Sequence, residues 1–251
     1  MTPPRDGPGA GVRQILLFVA ALVAYQAVRG LTAGDAADAA GNALQVIRLQ
    51  DSLGIAVEPS VQGWALARAW AGELLSAAYI ALHLPVTAAL FVWLWLRRRA
   101  AYAPIRNVFL AANALALIVY AAFPVAPPRL VLASGLQDVL RTSVGVDLHG
   151  GALSALFNPY AAVPSMHVAY AILVGLAVWL LADAHLVRLV GALYPALIVL
   201  AVVATGNHYV LDAAAGAAML VGGAVAVRLM GLPWRPPRAS LVRPHRPDPA
   251  R

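Results

Sequence analysis

Long apolar runs separated by short polar segments follow one another along almost the whole chain. A helix needs about 20 predominantly apolar residues to cross a bilayer. The runs predict six membrane-spanning helices, at residues 13–31, 73–96, 105–123, 167–182, 187–204 and 209–230. The first run has a basic start, so a cleaved signal peptide is the alternative interpretation of that segment. No convincing cleavage site follows Gly30. Counting this run as a span also gives the even number of spans that the later spans require.

The segment between the first two runs, residues 35–53, is too polar to span a membrane but is amphipathic. Its apolar residues recur at helical spacing, opposite a polar face. We expect a helix that lies in the membrane interface, ended by Gly54 and followed by a second helix that starts at Pro59 and carries Trp64 and Trp70. The predicted apolar face is Ala36, Ala40, Leu44 and Ile47, and the polar face is Asp38, Asn42, Gln45 and Arg48.

The second run carries a stripe of polar side chains. Their three- and four-residue spacing places them on one face of a helix, and such a face is expected to point into the bundle and away from lipid. His83 lies near the middle of this run, where an ionisable side chain is either functional or a neutral histidine bonded within the bundle. Both interpretations stay open. The stripe is Glu73, Ser76, Tyr79, His83 and Thr87.

Composition supports a membrane protein and excludes an ordinary soluble domain. The chain has 251 residues, of which 61% are hydrophobic and 12% charged. All 18 basic residues are arginine, and they lie in the loops, so the charge does not indicate a nucleic-acid partner. With a cytoplasmic N-terminus, 13 arginines fall on the inner side and 5 on the outer side. The positive-inside rule therefore places both termini in the cytoplasm.

These patterns predict an all-α polytopic membrane protein with six transmembrane helices and an outer interfacial helix. Residues 1–12 are expected to be a disordered N-terminus, residues 13–231 a single membrane domain, and residues 232–251 a basic, disordered cytoplasmic tail. We expect a bacterial cell membrane as the location. The oligomeric state is not predicted.

Three polar clusters fall at span ends on the same predicted side of the membrane. They are FPVAPPR at 123–129, VPSMH at 163–167 and GNHYVLD at 206–212. The alternating topology places all three at the outer face. Independent structural caps would be scattered over both faces, so the coincidence predicts one shared site.

The residue types in two of these clusters suit phosphate chemistry. Pro164 suits the first turn of a helix, whose N-terminus gathers free N–H groups and binds anions beside Ser165 and His167. His208 and Asp212 are four residues apart, so the carboxylate can fix the imidazole tautomer and leave the other nitrogen free to attack. The alternatives are that Ser165 is only a helix cap and that His208 and Asp212 are a buried structural pair.

Together, FPVAPPR, PSMH and HYVLD resemble the three signatures of the type 2 phosphatidic acid phosphatase superfamily, in the branch that includes inositol phosphorylceramide synthase and sphingomyelin synthase. The resemblance implies a metal-independent phosphoryl transfer through a phosphohistidine, without a cofactor. By position, His208 resembles the nucleophile, Asp212 its orienting carboxylate and His167 the general acid. Arg129 and Ser165 resemble phosphate-binding residues.

The chain departs from the wider superfamily at positions that usually bind phosphate. In the first signature, Ala122 replaces the lysine that usually stands seven residues before the arginine, and Leu130 replaces the proline that usually follows it. In the third signature, Ala201 and Val202 replace a serine–arginine pair. Two cations are therefore missing, which favours the synthase-like branch. Arg141 in the outer loop is a candidate replacement, and a solvated loop charge is its alternative role.

The expected activity is that of a lipid phosphatase or phosphotransferase acting on a phospholipid or polyprenyl phosphate at the extracytoplasmic face. An alcohol acceptor in place of water would make it a head-group transferase of the inositol phosphorylceramide synthase type. A non-catalytic lipid carrier is the alternative from another class. Further candidates for substrate binding, each with an alternative role in helix packing or interfacial anchoring, are His83, Glu73, Tyr79, Asn113, Tyr160 and Tyr209.

Overall fold

The computed structural model describes residues 35–147 and 158–233, together with seven positions between 11 and 23. The predictions for the N-terminal segment 1–12, for the first span and for the tail lie wholly or mostly outside these residues.

Helices account for most of residues 35–147 and 158–233, and no strand occurs within these two ranges. Val125 and Ala161 form an isolated parallel bridge. Two short 3-10 turns, Pro128–Leu130 and Leu132–Ser134, follow the first motif. The α-helices of these ranges are α1 (Ala36–Leu53), α2 (Glu58–Leu66), α3 (Ala69–Ala81), α4 (His83–Arg97), α5 (Arg99–Ala122), α6 (Val139–Val144), α7 (Met166–Leu181), α8 (His185–Ala204) and α9 (Val210–Leu229).

Three helices of the described residues, α5, α8 and α9, are each long and apolar enough to cross a membrane. The pair α3 and α4 passes the same test when taken together, which gives up to four spans. The predicted fourth span is α7, which is apolar but has only 16 residues. The all-helical, membrane-type architecture is thus confirmed, while six spans remain a prediction.

The predicted second span is not one straight helix. It is divided at Leu82 into α3 and α4, which are bent by 47° relative to each other. Pro85 lies in the first turn of α4. Proline lacks an N–H and its ring clashes with the carbonyl four residues earlier, so the preceding helix cannot continue through it undisturbed. Of the polar stripe, Ser76 and Thr87 are buried and Glu73 is exposed.

The helix α1 forms where the sequence predicts it, and Gly54 ends it in the left-handed conformation. The predicted apolar face is exposed or only half-buried, and the residues of α1 that are buried in the protein are Ala39, Ala43, Val46 and Gln50. Ala39, Ala43 and Val46 belong to the same apolar cluster as Val125 and Ala126 of the first motif. Leu44 is 38% exposed.

The helix after Gly54 also differs from its prediction. Pro59 lies at the start of α2 as expected, but the helix ends before Trp70, which belongs to α3. Trp64 and Trp70 are both exposed and contact each other edge to face, with ring centroids 6.1 Å apart.

Glycines set the closest helix contacts in the bundle. In α9, a Cβ on Gly223 would lie 2.8 Å from the backbone nitrogen of Ala112 in α5. In the same way, a Cβ on Gly175 of α7 would lie 2.7 Å from the carbonyl oxygen of Gly191 in α8. Small residues let helix backbones approach in a membrane, where close packing drives association. These contacts join α9 to α5 and α7 to α8.

Candidate active site

Backbone hydrogen bonds join the three sequence motifs to one another. In the first motif, Val125 donates to the carbonyl of Tyr160 at 2.8 Å. Arg129 donates its backbone N–H to Gly206, at 3.0 Å, which links the first motif to the third. Ser165 donates to the carbonyl of Asp212, also at 3.0 Å, which links the second to the third. The structure therefore brings together the clusters that the predicted topology placed on one face.

His208 and Asp212 form a buried pair. The Nδ1 atom of His208 lies 3.1 Å from Oδ2 of Asp212 and 2.9 Å from the carbonyl oxygen of Ala162. Both neighbours are acceptors, so Nδ1 carries the proton and Nε2 carries the lone pair. Asp212 is fully buried and His208 is 5% exposed. The carboxylate thus fixes the tautomer that leaves Nε2 able to act as a nucleophile.

A tight turn after α8 places His208 beside Asp212 and Ala162. The helix ends at Ala204, and the backbone N–H groups of Asn207 and His208 both donate to the carbonyl of Val202, at 3.1 Å. Gly206 has a φ of 71°, which favours glycine. A Cβ at this position would also lie 2.7 Å from the carbonyl oxygen of Gln137. The turn therefore needs glycine for both its conformation and its packing.

The second motif lies at the start of α7. The helix begins at Met166, so Pro164 precedes the helix and is not part of its first turn, contrary to the prediction. Ser165 is the N-cap: its hydroxyl oxygen accepts from the backbone N–H of Val168 at 3.5 Å, and the residue is fully buried. The Tyr120 hydroxyl donates to the carbonyl of Pro164 at 2.8 Å and fixes the approach to the helix.

The imidazole of His167 lies among three other rings. Its centroid is 5.6 Å from that of His208, with the two rings edge to face. Tyr79 of α3 stacks on His167 at 4.5 Å, and His83 of α4 contacts it at 4.0 Å. Two residues of the predicted polar stripe therefore contact a predicted catalytic histidine directly.

Asp138, the residue before α6, orients the side chain of Arg129. Its Nε atom lies 3.3 Å from Oδ2 of Asp138, and its side chain is only 5% exposed. Asp138 is also the N-cap of α6, where it accepts from the backbone N–H of Arg141. Arg141 itself is exposed. Of these two arginines, Arg129 is the one held at the junction of the first and third motifs.

Three buried polar residues of α1 and α2 support the site, and sequence reasoning missed them. The carboxylate of Glu58 accepts from the backbone N–H of Val210 at 2.7 Å, and the side-chain oxygen of Gln50 accepts from that of Leu211 at 3.0 Å. Asp212 accepts from the N–H of Tyr209. Gln62 donates to the carbonyl of Ala204 at 3.2 Å. Side chains thus satisfy the otherwise unpaired N–H groups at the start of α9.

The remaining candidates for substrate binding lie in different surroundings. Asn113 is buried in α5, where it accepts a hydrogen bond from the Tyr170 hydroxyl. Tyr209 is 1% exposed and donates to the carbonyl of Ala126. Tyr160 is half-buried beside the first motif, and Glu73 is exposed.

Comparison with known protein families identifies the chain. The model of the PAP2 superfamily matches residues 44–226, a stretch that contains all three motifs. The chain belongs to the PAP2 superfamily. Members of the PAP2 superfamily are typically phosphatases or phosphotransferases, and this membership together with the apolar helices supports an integral membrane enzyme. The match is to the superfamily and does not single out the inositol phosphorylceramide synthase branch.

No curated protein and no solved structure matches the chain significantly. Among the described residues, no group of three histidine or acidic side chains is arranged to hold a metal ion.

Proposed function

We propose that this protein is a lipid phosphate phosphatase or phosphotransferase that works through a phosphohistidine at His208. The observation that carries the proposal is the pair of acceptors beside Nδ1 of His208, the Asp212 carboxylate and the Ala162 carbonyl. They hold the proton on Nδ1, so the lone pair of Nε2 is available for attack. A buried carboxylate in this position also stabilises the positive charge that develops on the ring.

The first chemical step forms a bond from Nε2 of His208 to phosphorus and breaks the bond from phosphorus to the lipid oxygen. That oxygen leaves with the bonding electrons and takes a proton from His167, whose ring lies 5.6 Å from His208 between centroids. In the second step an acceptor O–H attacks the phosphorus, its proton passes to His167, and the phosphorus–nitrogen bond breaks. Both histidines return to their starting states.

Arg129, Ser165 and the start of α7 are the groups that neutralise the phosphate in this proposal. Arg129 offers a planar fork suited to two phosphate oxygens, and Asp138 fixes its Nε. The N-terminus of α7 adds backbone N–H groups and the positive end of the helix dipole. Phosphoryl transfer depends chiefly on such positioning and charge stabilisation.

A transferase with an alcohol acceptor is the second candidate function. The usual arginine position of the third signature is Val202, which is fully buried in the packing of α8 beside the equally buried Ala201. A charged side chain is not accommodated there without repacking. This difference from the phosphatase signature favours a substrate with fewer charges to neutralise, such as a phosphodiester head group. Only the second-step nucleophile distinguishes the two activities.

The site is proposed to open to the extracytoplasmic side, following the arginine distribution. Lipid substrates would then reach it from the outer leaflet. A non-catalytic lipid carrier remains the less favoured alternative, because the polar clusters lie at helix ends on one side and such carriers place their sites near the membrane midplane.

The test uses purified protein in detergent with chelator present. The substrates are phosphatidate, diacylglycerol pyrophosphate, a polyprenyl phosphate and phosphatidylinositol, each with and without an alcohol acceptor. Free phosphate that disappears in His208→Ala and falls in Asp212→Asn would support the phosphatase, and product formed only with an acceptor would support the transferase. Full activity in His208→Ala would refute the mechanism, and inactivity on every substrate would favour the carrier.

A further inference from the structure

A column of stacked rings leads from the centre of the bundle to His167. The ring of His83 lies parallel to that of Tyr170, with an angle of 3° and a centroid distance of 4.8 Å. The His83 ring also contacts the ring of His167, with a centroid distance of 4.0 Å and an interplanar angle of 33°. His83 is therefore the link between a tyrosine of the bundle core and the histidine beside the nucleophile.

The inner end of this column is fixed. The Tyr170 hydroxyl donates to the side-chain oxygen of Asn113, whose amide donates in turn to the carbonyl of Phe109 at 2.7 Å. The Phe109 ring also packs on Tyr170, at 4.7 Å. With its hydroxyl and its ring both held, Tyr170 is a rigid surface for His83 to stack on. These hydrogen bonds restrict the motion of the Tyr170 ring.

The bend at Leu82 places His83 against this surface. His83 is the first residue of α4, and its carbonyl accepts from the Thr87 hydroxyl at 2.7 Å. The Tyr194 hydroxyl of α8 donates to the carbonyl of Leu82 at 3.4 Å. The first bond lies within α4, and the second anchors the bend to α8. His83 and Tyr79, on either side of the bend, therefore both reach His167.

We propose that His83 is a positioning residue, which holds the imidazole of His167 at the angle needed to protonate the leaving oxygen. This inference rests on the proposed function and adds a role for a residue outside the three motifs. A general acid works only when its proton is aligned with the departing atom, and small displacements of reacting groups can reduce rates about a hundredfold. The His83 ring, stacked on Tyr170 and in tilted contact with His167, restricts rotation of His167 without bonding to the substrate.

The test compares two substrates that differ in their need for an acid. One is a long-chain alkyl phosphate, whose alkoxide leaves poorly without a proton. The other is a nitrophenyl phosphate with the same alkyl chain, whose leaving group departs unprotonated. Both are made as monoesters and as methyl diesters, so that a phosphatase and a head-group transferase are each covered.

We expect His83→Ala to lower kcat by roughly ten- to a hundredfold on the alkyl ester, which is at most the lower end of the contribution of a general acid, and by less than about threefold on the nitrophenyl ester. His83→Phe keeps a flat ring and is expected to recover most of the alkyl activity. His185→Ala, at the exposed start of α8, is the matched control and should change neither rate.

Equal losses on both esters in His83→Ala, or a His83→Phe protein no better than His83→Ala, would overturn the positioning role. If His83→Ala does not yield a folded protein, the ratio of the two rates in His83→Phe decides: a ratio close to that of the wild type supports the role of the ring, and a selective loss on the alkyl ester overturns it. A wild type inactive on every ester, or an active His208→Ala protein, would instead refute the proposed function and this inference with it.

Discussion

The carboxylate of Glu58 in α2 accepts a hydrogen bond, 2.7 Å long, from the backbone N–H of Val210 at the start of α9. The two residues are 152 positions apart, and Glu58 is only 2% exposed. This hydrogen bond connects α2 to the first turn of α9, which carries Asp212. Helix α2 is therefore part of the framework of the candidate active site.

Removing this carboxylate should destabilise the protein. In Glu58→Ala the N–H of Val210 loses its partner in a buried position, which typically costs about 1–3 kcal/mol. For a chain of this size that corresponds to a fall in Tm of about 2–4 °C per kcal/mol. Thermal unfolding in detergent measures it. Glu58→Gln keeps an oxygen acceptor and should lose less, and the exposed Asp51→Ala should leave the Tm unchanged. An unaltered Tm in Glu58→Ala would contradict the framework role.

The contact between α9 and the second motif makes a prediction at Gly216. A Cβ at this position would overlap the carbonyl oxygen of Ser165, a backbone atom that cannot move without shifting the start of α7. We expect Gly216→Ala to reduce kcat by at least tenfold, because it displaces His167 relative to His208.

Gly222→Ala in the same helix is the matched control. Its added Cβ would lie 3.0 Å from the end of the Leu115 side chain, which can rotate away. Its activity should stay within about twofold of the wild type, in keeping with the small effects of substitutions that create no fixed clash. Equal activities of the two variants would show that the close approach of α9 to Ser165 has no catalytic consequence.

Arg129 and Arg141 should differ sharply on substitution. Arg129→Lys keeps the charge but loses the planar fork, so we expect kcat/KM to fall roughly a hundredfold, as for loss of one preorganised donor. Arg141 is exposed, and Arg141→Lys should have little effect. Steady-state kinetics on the best substrate of the panel would measure both. A large loss in Arg141→Lys would instead identify Arg141 as a replacement for the missing cations.

The predicted orientation can be tested because the chain contains no cysteine. Leu132 is fully exposed beside the first motif, and Ala184 is exposed in the turn at the opposite end of α8. In intact cells, a membrane-impermeant maleimide should label Leu132→Cys, and should label Ala184→Cys only after lysis. The reverse pattern would place the site in the cytoplasm and contradict the interpretation of the arginine distribution.

The sequence predicted the helices well because their apolar runs are long and their ends carry clear signals. Gly54 and Pro59 mark a helix end and a helix start where the structure has them. The meeting of the three motifs followed from alternating topology alone. The starts of some spans were less accurate, since α5 begins at Arg99, six residues before the predicted residue 105. The arginine and tyrosine residues at the start of this helix interrupt the apolar run from which its bounds were predicted.

Other features of the site depend on tertiary contacts that the sequence does not contain. Gln50 and Glu58 were not singled out, because polar residues near an amphipathic helix are usually solvated, and only the docked start of α9 gives them partners. The bend at Leu82 had a signal in Pro85 that the hydropathy pattern concealed. The contact of His83 with His167 needs two distant spans packed together, so spacing along one helix indicates only that His83 faces inward.

The most direct test of the account is to trap the phosphorylated enzyme. Wild-type protein would be mixed with a nitrophenyl phosphate lipid carrying a labelled phosphoryl group, quenched in alkali within milliseconds, and digested for mass spectrometry. The account predicts an acid-labile, alkali-stable phosphoryl group on His208, with more of it in His167→Ala because the second step is slowed. The label should be absent from His208→Ala. Label on another residue, or turnover by His208→Ala without any labelled intermediate, would contradict the phosphohistidine mechanism.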